Sequence, residues 1–197
     1  MAKLFFRYGA MGSGKTTALL QVAHNYEEKG MHILLIKPSI DTKGQNKVVS
    51  RIGIERQVDI LLLGQEKLLN NSYFLAALNN LSAIIVDEAQ FLSSHQVDEL
   101  YLITKQYNIP ILCYGLRCDF QMNGFEGSTR LLQIADDIEE LKTICKCGKK
   151  ATQNLRTVNG KPTFQGNQIE IDDHSKVEYE GVCGDCYIKL QNKYKKR

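Results

Sequence analysis

The residues from Gly9 to Thr16, GAMGSGKT, fit the phosphate-loop pattern G-x-x-x-x-G-K-[ST]. Glycines let the backbone curl so that successive N–H groups point at phosphate oxygens, and the helix that follows adds the positive end of its dipole. We expect Lys15 to reach the β- and γ-phosphates and the hydroxyl of Thr16 to ligate Mg²⁺. The predicted phosphate-binding residues are Gly9, Gly12, Ser13, Gly14, Lys15 and Thr16. The loop predicts binding of a nucleoside triphosphate, with ATP expected, and leaves the phosphoryl acceptor open.

Two adjacent carboxylates, Asp87 and Glu88, follow an apolar run in the segment IIVDEAQF. In phosphate-loop folds the end of such a strand faces the Mg²⁺ site, so we assign Asp87, together with Gln90, to ATP and Mg²⁺. Side chains diverge at a strand end, and a Glu beside the γ-phosphate can deprotonate a nucleophile. We therefore predict Glu88 as the catalytic base, against the alternative of a carboxylate that stabilises a helix start. The nucleophile is water in an ATPase and a substrate hydroxyl in a kinase.

Four of the six cysteines form two close pairs, Cys145 with Cys147 and Cys183 with Cys186. Four thiolates suit a closed tetrahedral Zn²⁺ site, which has no open position and is therefore structural. We expect zinc to stabilise a segment too small to hold a core of its own. The alternative is a free or redox-active pair of thiols.

These candidate residues are separated by alternating apolar and helical patterns. The apolar runs KLFFRYG, MHILLIKP, VDILLLG, LSAIIVDE and IPILCYGL predict strands, and helices are predicted from about Lys15 to Lys29 and in QEKLLNNSYFLAALNN and SSHQVDELYLITKQY, the last capped by Ser93 or Ser94. Such alternation predicts an α/β fold with a parallel sheet covered by helices on both faces. We expect a mobile loop over residues 39–57 and no helix after Cys145.

The predicted organisation is a nucleotide-binding domain over residues 1–143, a cysteine-bearing substrate lid over 144–190 and a disordered basic tail over 191–197. The net charge of +3 comes from the stretch Lys189 to Arg197, without which 20 basic residues face 22 acidic ones. A body that is not basic disfavours nucleic acid as a partner. Because the chain has no apolar run of membrane-spanning length and no signal-peptide pattern, we expect a cytoplasmic protein without a membrane partner.

The length of the chain separates a nucleic-acid motor from a kinase. A motor needs two linked ATPase domains, and residues 117–197 cannot hold a second domain of roughly 150 residues. A phosphoryl transferase with a lid needs one. The rival interpretations are a nucleic-acid-stimulated ATPase with a zinc ribbon and a noncatalytic nucleotide-binding module.

Taken together and in this order, the motifs GAMGSGKTT, VDEAQF, CYGLRCDF and the ribbon from Cys145 to Cys186 resemble thymidine kinases of the cellular and bacterial, zinc-containing type (type II). The resemblance covers nearly the whole chain. It implies a RecA-like phosphate-loop domain with a C-terminal zinc ribbon and a lasso loop that closes over the nucleoside. It also implies ATP- and Mg²⁺-dependent phosphorylation of the 5′-hydroxyl of thymidine, and of deoxyuridine, in a homotetramer that dTTP inhibits.

The same resemblance assigns Glu88 to the 5′-hydroxyl. It implies a thymine pocket lined by Met11, Leu116, Phe120 and Tyr179. The lasso segment IDDHSKVEY departs from the family, which more often has a glycine pair before its tyrosine, and Asp172 and Asp173 add negative charge that disfavours an anionic inhibitor. Arg117 is expected either to contact phosphate or to lie on the surface.

Overall fold

The protein was analysed as a computed structural model, which describes residues 1–40, 46–168 and 176–195. Its strands are β1 (Leu4–Tyr8), β2 (Ile33–Pro38), β3 (Lys47–Val49), β4 (Glu55–Gln57), β5 (Ile60–Leu62), β6 (Ala83–Val86), β7 (Ile111–Gly115), β8 (Asp137–Glu140), β9 (Thr143–Ile144), β10 (Lys150–Ala151), β11 (Gln153–Val158), β12 (Lys161–Thr163) and β13 (Val177–Val182). Its α-helices are α1 (Lys15–Glu27), α2 (Ser72–Ala77), α3 (Ser94–Gln106), α4 (Glu126–Ile134) and α5 (Gly184–Lys195). Short 3₁₀ turns lie at Leu68–Asn70, Leu78–Asn80 and Ala89–Phe91.

The main sheet has the order β5-β2-β6-β7-β1-β8 within the described residues, and every neighbouring pair is parallel. The carboxyl ends of parallel strands meet at one edge, so the segments that follow β1, β6 and β7 lie together there. These are the phosphate loop, the two carboxylates and the start of the GLRCDF segment. The predicted parallel α/β sheet is confirmed.

Alternate residues of the strands pack on opposite faces of the sheet. On one face, Phe6 and Ile84 join a core that includes residues of α3 such as Leu100. On the other face, Leu35 and Ile85 pack with residues of α1, Leu19 among them. Helices therefore cover both faces, as the sequence predicted.

Local signals fix some helix ends. Ser93 caps α3 in a capping box with Gln96, which confirms one of the two predicted caps. The helix predicted within residues 65–80 is shorter than expected, because Asn71 accepts a hydrogen bond from the N–H of Phe74 at 2.9 Å and caps α2, which begins only at Ser72.

The predicted irregular loop over residues 39–57 contains a hairpin of β3 and β4, so the prediction is wrong for residues 47–57. Val48 is buried against the α1 face of the sheet together with Val58, and this burial gives the hairpin its fixed base. Residues 41–45 lie outside the described part of the chain.

The C-terminal segment consists of the β9–β10 hairpin, a three-stranded antiparallel sheet of order β12-β11-β13, and α5. It has a small core, which includes Leu155, Val182 and Tyr187, and Ala10 of the phosphate loop packs in the same core. The expectation of a coreless segment was therefore wrong. The division after residue 143 stays a prediction.

Helix α5 corrects two further expectations. A helix does follow Cys145, and residues 191–195 of the supposed disordered tail continue it to Lys195. Tyr187 and Leu190, three residues apart, give the helix one face that packs on the C-terminal core. Residues 196 and 197 lie outside the described part of the chain. In that part, no helix is both long enough and apolar enough to span a membrane.

Candidate active site

The phosphate loop connects β1 to α1 in a conformation that its glycines permit. Gly12 and Gly14 have φ of 80° and 76°, in the left-handed region where a Cβ atom is disfavoured. Nζ of Lys15 donates to the carbonyls of Gly9 at 3.0 Å and Ala10 at 3.1 Å, which holds the ammonium group across the loop. Ser13 has a buried hydroxyl that makes no hydrogen bond within the described residues. The predicted phosphate-binding residues thus share one loop at the carboxyl edge of the sheet.

The two carboxylates follow β6 at the same edge. Asp87 is 6% exposed, and its N–H donates to the carbonyl of Ile36 on β2 at 3.0 Å. Glu88 has φ 49° and ψ 39°, a left-handed conformation that costs a residue with a side chain about 1–2 kcal/mol. Oδ1 of Asp87 accepts from the N–H of Glu88 at 3.0 Å and helps to hold that conformation. The two carboxylates accept different hydrogen bonds, since Asp87 accepts from the N–H of Glu88 and Glu88 accepts from the side chain of Gln90.

Gln90 is 2% exposed and connects Glu88 to the segment that follows β7. Its Nε2 donates to Oε2 of Glu88 at 2.6 Å, and its Oε1 accepts from the N–H of Leu116 at 3.0 Å. Gly115 permits this approach, since a Cβ atom there would lie 2.8 Å from Oε1 of Gln90. The described contacts of Gln90 therefore fix the orientation of the Glu88 carboxylate.

The residues that the resemblance assigns to the thymine pocket lie on three different segments. The carbonyl of Leu116 accepts a short hydrogen bond from the hydroxyl of Ser128 on α4. Phe120 is buried, and the guanidinium carbon of Arg156 lies 3.8 Å from the centre of its ring. Met11 belongs to the phosphate loop.

Asn154 on β11 connects two of these segments, and the sequence analysis missed it. Its Oδ1 accepts from the N–H of Met11 at 2.8 Å, and its Nδ2 donates to the carbonyl of Cys118 at 2.8 Å. The side chain is buried, so no water competes for these bonds. The only signal in the sequence was the pair of polar residues Asn154 and Arg156, which are two apart on a strand and share one face.

The segment before the predicted lasso is attached to the same region. Arg156, which pairs in register with Tyr179 on β13, donates to the carbonyls of Gln165 at 2.6 Å and Asn167 at 3.1 Å. Nε2 of Gln168 donates to Oδ2 of the buried Asp119 at 3.1 Å. The chain just before the predicted lasso is therefore held to β11 and to the loop after β7. Asp172 and Asp173 lie outside the described residues.

Arg117 lies between the main sheet and the C-terminal segment. Its guanidinium carbon is 5.9 Å from the ring centre of Tyr8, and its Nη2 donates to the carbonyl of Thr152 at 3.4 Å. These contacts support a packing role.

The four cysteines of the two pairs come together, with Sγ atoms all within 4.8 Å of one another. The Sγ atoms of Cys147 and Cys183 are 3.5 Å apart. Tetrahedral zinc with Zn–S bonds of about 2.3 Å requires sulfur separations of roughly 3.8 Å, so this donor set fits zinc. Hydrogen bonds from the backbone of Cys147, and then of Cys183, lower the pKa of Cys145 to about 7. Hydrogen bonds with the sulfur of Cys147, and then with those of Cys183 and Cys145, raise the pKa of Cys186 to about 12, so four thiolates need a cation to coexist.

Comparison with known proteins agrees with this arrangement of motifs. The sequence profile of the family described as "Thymidine kinase" matches residues 2–187. A thymidine kinase of Lactobacillus acidophilus is 48% identical over 190 residues, which cover 93% of this chain and 94% of that protein. The thymidine kinase of Enterobacteria phage T4 is 43% identical over 195 residues, 98% of this chain and 99% of the relative. That of Chromobacterium violaceum is 42% identical over 189 residues, 95% and 98% of the two chains.

Among solved structures, a Pif1 helicase from Candida albicans is 15% identical with a TM-score of 0.42, over 73% of this chain and 36% of that one. A likeness at this level carries no argument about function. The profile and the relatives, in contrast, extend over nearly the whole length of the sequence. The predicted family is therefore confirmed: the chain belongs to the thymidine kinase family.

Proposed function

We propose that the protein transfers the γ-phosphoryl group of ATP to the 5′-hydroxyl of thymidine, and of deoxyuridine. The observation that carries the proposal is the hydrogen-bonded connection from Glu88 through Gln90 to Leu116. It joins the predicted base to a residue that the resemblance assigns to the thymine pocket. The names of the relatives supply thymidine as the acceptor.

In the proposed reaction, Glu88 takes the proton of the 5′-hydroxyl. The 5′-oxygen forms a bond to the γ-phosphorus while the bond from that phosphorus to the β,γ-bridging oxygen breaks, and ADP leaves with the electron pair. Gln90 orients the carboxylate for this task, since its buried amide fixes one of the two carboxylate oxygens. Lys15 stabilises the charge that develops on the phosphates.

The site also has oxygen donors suited to Mg²⁺. The hydroxyl of Thr16 and the carboxylate of Asp87 are of the type that this ion prefers, and both follow strands that end at the same edge of the sheet. Mg²⁺, when bound, neutralises part of the phosphate charge. Zinc at the four cysteines is structural in this proposal.

Closure of the lasso over the nucleoside excludes water, which would otherwise accept the phosphoryl group. The attachment of residues 164–168 supports this part of the proposal, because Arg156 and Gln168 hold the entrance of the lasso beside Phe120. Tyr179 follows the lasso on β13 and is proposed to contact the nucleoside.

The test is incubation with Mg-ATP and a panel of nucleosides, followed by mass spectrometry. We expect thymidine and deoxyuridine 5′-monophosphates, and far less of both with Glu88→Gln. Absence of both products with the wild-type protein would reject the proposed function. A parallel measurement of ATP hydrolysis with added DNA or RNA tests the rival motor, which requires stimulation.

Two further properties come to the proposal from the family resemblance alone: a homotetramer and feedback inhibition by dTTP. Light scattering coupled to size exclusion tests the first. Inhibition of thymidine phosphorylation by added dTTP tests the second.

A further inference from the structure

The β3–β4 hairpin places an arginine against the phosphate loop. Arg51 lies in the turn of this hairpin, and a Cβ atom built on Gly12 would be 3.5 Å from its Nη1. The guanidinium group therefore lies next to the loop at Gly12, at the distance at which it would be in van der Waals contact with a Cβ atom there. Neither the phosphate-loop motif nor the pair of carboxylates predicts this contact, because Arg51 comes from a distant segment.

The hairpin is fixed at its base. Val48 is 2% exposed in the core on the α1 face, and Arg56 donates to Glu27 of α1 at 2.9 Å and to Asp59 at 3.1 Å. A hydrogen bond from the N–H of Val58 to the carbonyl of Asn46 closes the base at 2.8 Å. The position of the turn relative to the phosphate loop is therefore set by packing on the sheet.

The turn itself is also ordered by its own hydrogen bonds. Ser50 is 4% exposed, and its N–H and hydroxyl both donate to the carbonyl of Ile54, at 2.8 and 3.0 Å. The N–H of Ile54 donates back to the Ser50 hydroxyl at 3.0 Å, and Gly53 supplies the left-handed φ of 87°. These hydrogen bonds fix the backbone of the turn that carries Arg51.

Arg51 differs from the other basic residues of the hairpin, which form ion pairs. Lys47 pairs with Glu55 at 2.6 Å, and Arg56 is paired with two carboxylates. Across residues 1–40, 46–168 and 176–195, the exposed side chain of Arg51 makes neither a hydrogen bond nor an ion pair. An arginine that lies on a phosphate-binding loop with its donors uncommitted has the geometry to accept an anion there.

We infer that Arg51 contacts the γ-phosphate of the ATP donor and stabilises the charge of the transferring phosphoryl group. The inference rests on the proposed function for its donor and reaction. The guanidinium adds a second cation to Lys15, the only basic residue of the loop from Gly9 to Thr16. Its planar fork can bind two phosphate oxygens at once, which an ammonium group cannot do. Arginines that act in this way in other phosphoryl transferases raise turnover by about 10³–10⁵-fold.

The experiment compares Arg51→Gln and Arg51→Lys with Lys47→Gln, which removes one charge from the same hairpin away from the loop. Calorimetry measures the binding of ADP and of the β,γ-imido analogue of ATP, and steady-state kinetics measure kcat for thymidine. In Arg51→Gln we expect about tenfold weaker binding of the analogue, ADP binding within about twofold of wild type, and kcat lower by on the order of 10³. Arg51→Lys should be intermediate, and Lys47→Gln should match wild type.

Unchanged analogue binding and unchanged kcat in Arg51→Gln would overturn the inference, and so would equal losses in Lys47→Gln. Circular dichroism and the thermal midpoint confirm that each variant is folded, and Arg51→Lys keeps the test valid if Arg51→Gln is not. If the wild-type protein forms no thymidine monophosphate, the proposed function fails by itself. The difference between analogue and ADP binding would still decide whether Arg51 contacts the terminal phosphate.

Discussion

Removal of the Asn154 side chain should destabilise both the phosphate loop and the segment after β7. The side chain is 4% exposed and satisfies two backbone groups, the N–H of Met11 and the carbonyl of Cys118, each at 2.8 Å. Asn154→Ala leaves both groups buried without these partners. Asn154→Asp keeps an acceptor for Met11 but turns a carboxylate oxygen toward the carbonyl of Cys118, so that two acceptors face each other.

The magnitude follows from these two bonds. A buried backbone group that loses its partner costs about 1–3 kcal/mol, and partial entry of water reduces the sum, so we expect Asn154→Ala to lose about 2–4 kcal/mol of unfolding free energy. For a chain of this size, 1 kcal/mol corresponds to about 2–4 °C, so the thermal midpoint should fall by about 4–16 °C. Asn154→Asp should lose about 1–3 kcal/mol, because only one of the two bonds is broken.

Thermal unfolding, calorimetry with an ATP analogue and the KM for thymidine measure the consequences separately. Asn154→Ala should weaken the binding of the analogue and raise the KM, since it releases both the phosphate loop and the segment after β7. Asn154→Asp should raise the KM while analogue binding stays near wild type. The matched control is Gln153→Ala on the same strand, which removes only a weak contact with the thiol of Cys118 at 3.6 Å. A change of less than about 0.5 kcal/mol in Asn154→Ala, with an unchanged KM, would refute the assigned role.

Three further predictions concern the base, the metal and the dependence of stability on pH. Glu88→Gln should lower kcat by at least about 10²–10⁴-fold while binding of an ATP analogue stays within about twofold. Metal analysis should find zinc in the wild-type protein and none in Cys147→Ser, which removes one of the four clustered thiols and should also lower thermal stability. Burial raises the pKa of Asp136, but hydrogen bonds from Lys105 and from the N–H of Leu4 lower it more, so that the pKa lies below its ordinary value of 3.8. The lowered pKa of Asp136 adds folding stability above about pH 4, and this stability is lost as the pH falls through the pKa of the folded state. Urea unfolding at several pH values should therefore show a smaller loss of stability in acid for Asp136→Asn than for the wild-type protein.

Each of these has its own control. Turnover retained in Glu88→Gln would place the base elsewhere. Cys118→Ala, outside the cysteine cluster, should keep the zinc, whereas a wild-type protein that folds without metal would contradict the structural site. Asp137→Asn, next to Asp136 but with an exposed contact of 3.7 Å to Lys3, should leave the acid limb of the stability curve unchanged.

Features set by local sequence could be predicted, and features set by distant contacts could not. The phosphate loop follows from glycine spacing within Gly9–Thr16, and the start of α3 follows from Ser93 and Gln96. The β3–β4 hairpin was missed because its strands are short and polar, and its stability comes from the burial of Val48 against the α1 face of the main sheet. Helix α5 was missed for a similar reason, since a polar, cysteine-containing sequence gains its packing from Tyr187.

The candidate site divides in the same way. Asp87 and Glu88 follow a strand in the sequence, so their place at the edge of the sheet could be predicted from the parallel topology. Asn154 and Arg156 reach that edge from a segment more than sixty residues later in the chain, and no spacing in the sequence relates them to the phosphate loop. The roles of the site residues and the lasso itself stay predictions.

The buried hydroxyl of Tyr187 donates to the carbonyl of Phe120 at 2.6 Å, and Tyr187 follows Cys186 directly in the chain. A metal held by the cysteines is thereby one residue and one hydrogen bond from the wall of the proposed nucleoside pocket. Thermodynamic linkage requires reciprocity: if the metal tightens nucleoside binding through this contact, the nucleoside tightens metal binding by the same factor. The binding of thymidine would then depend on bound metal, and a chelator would remove the metal more slowly from the protein when thymidine is bound.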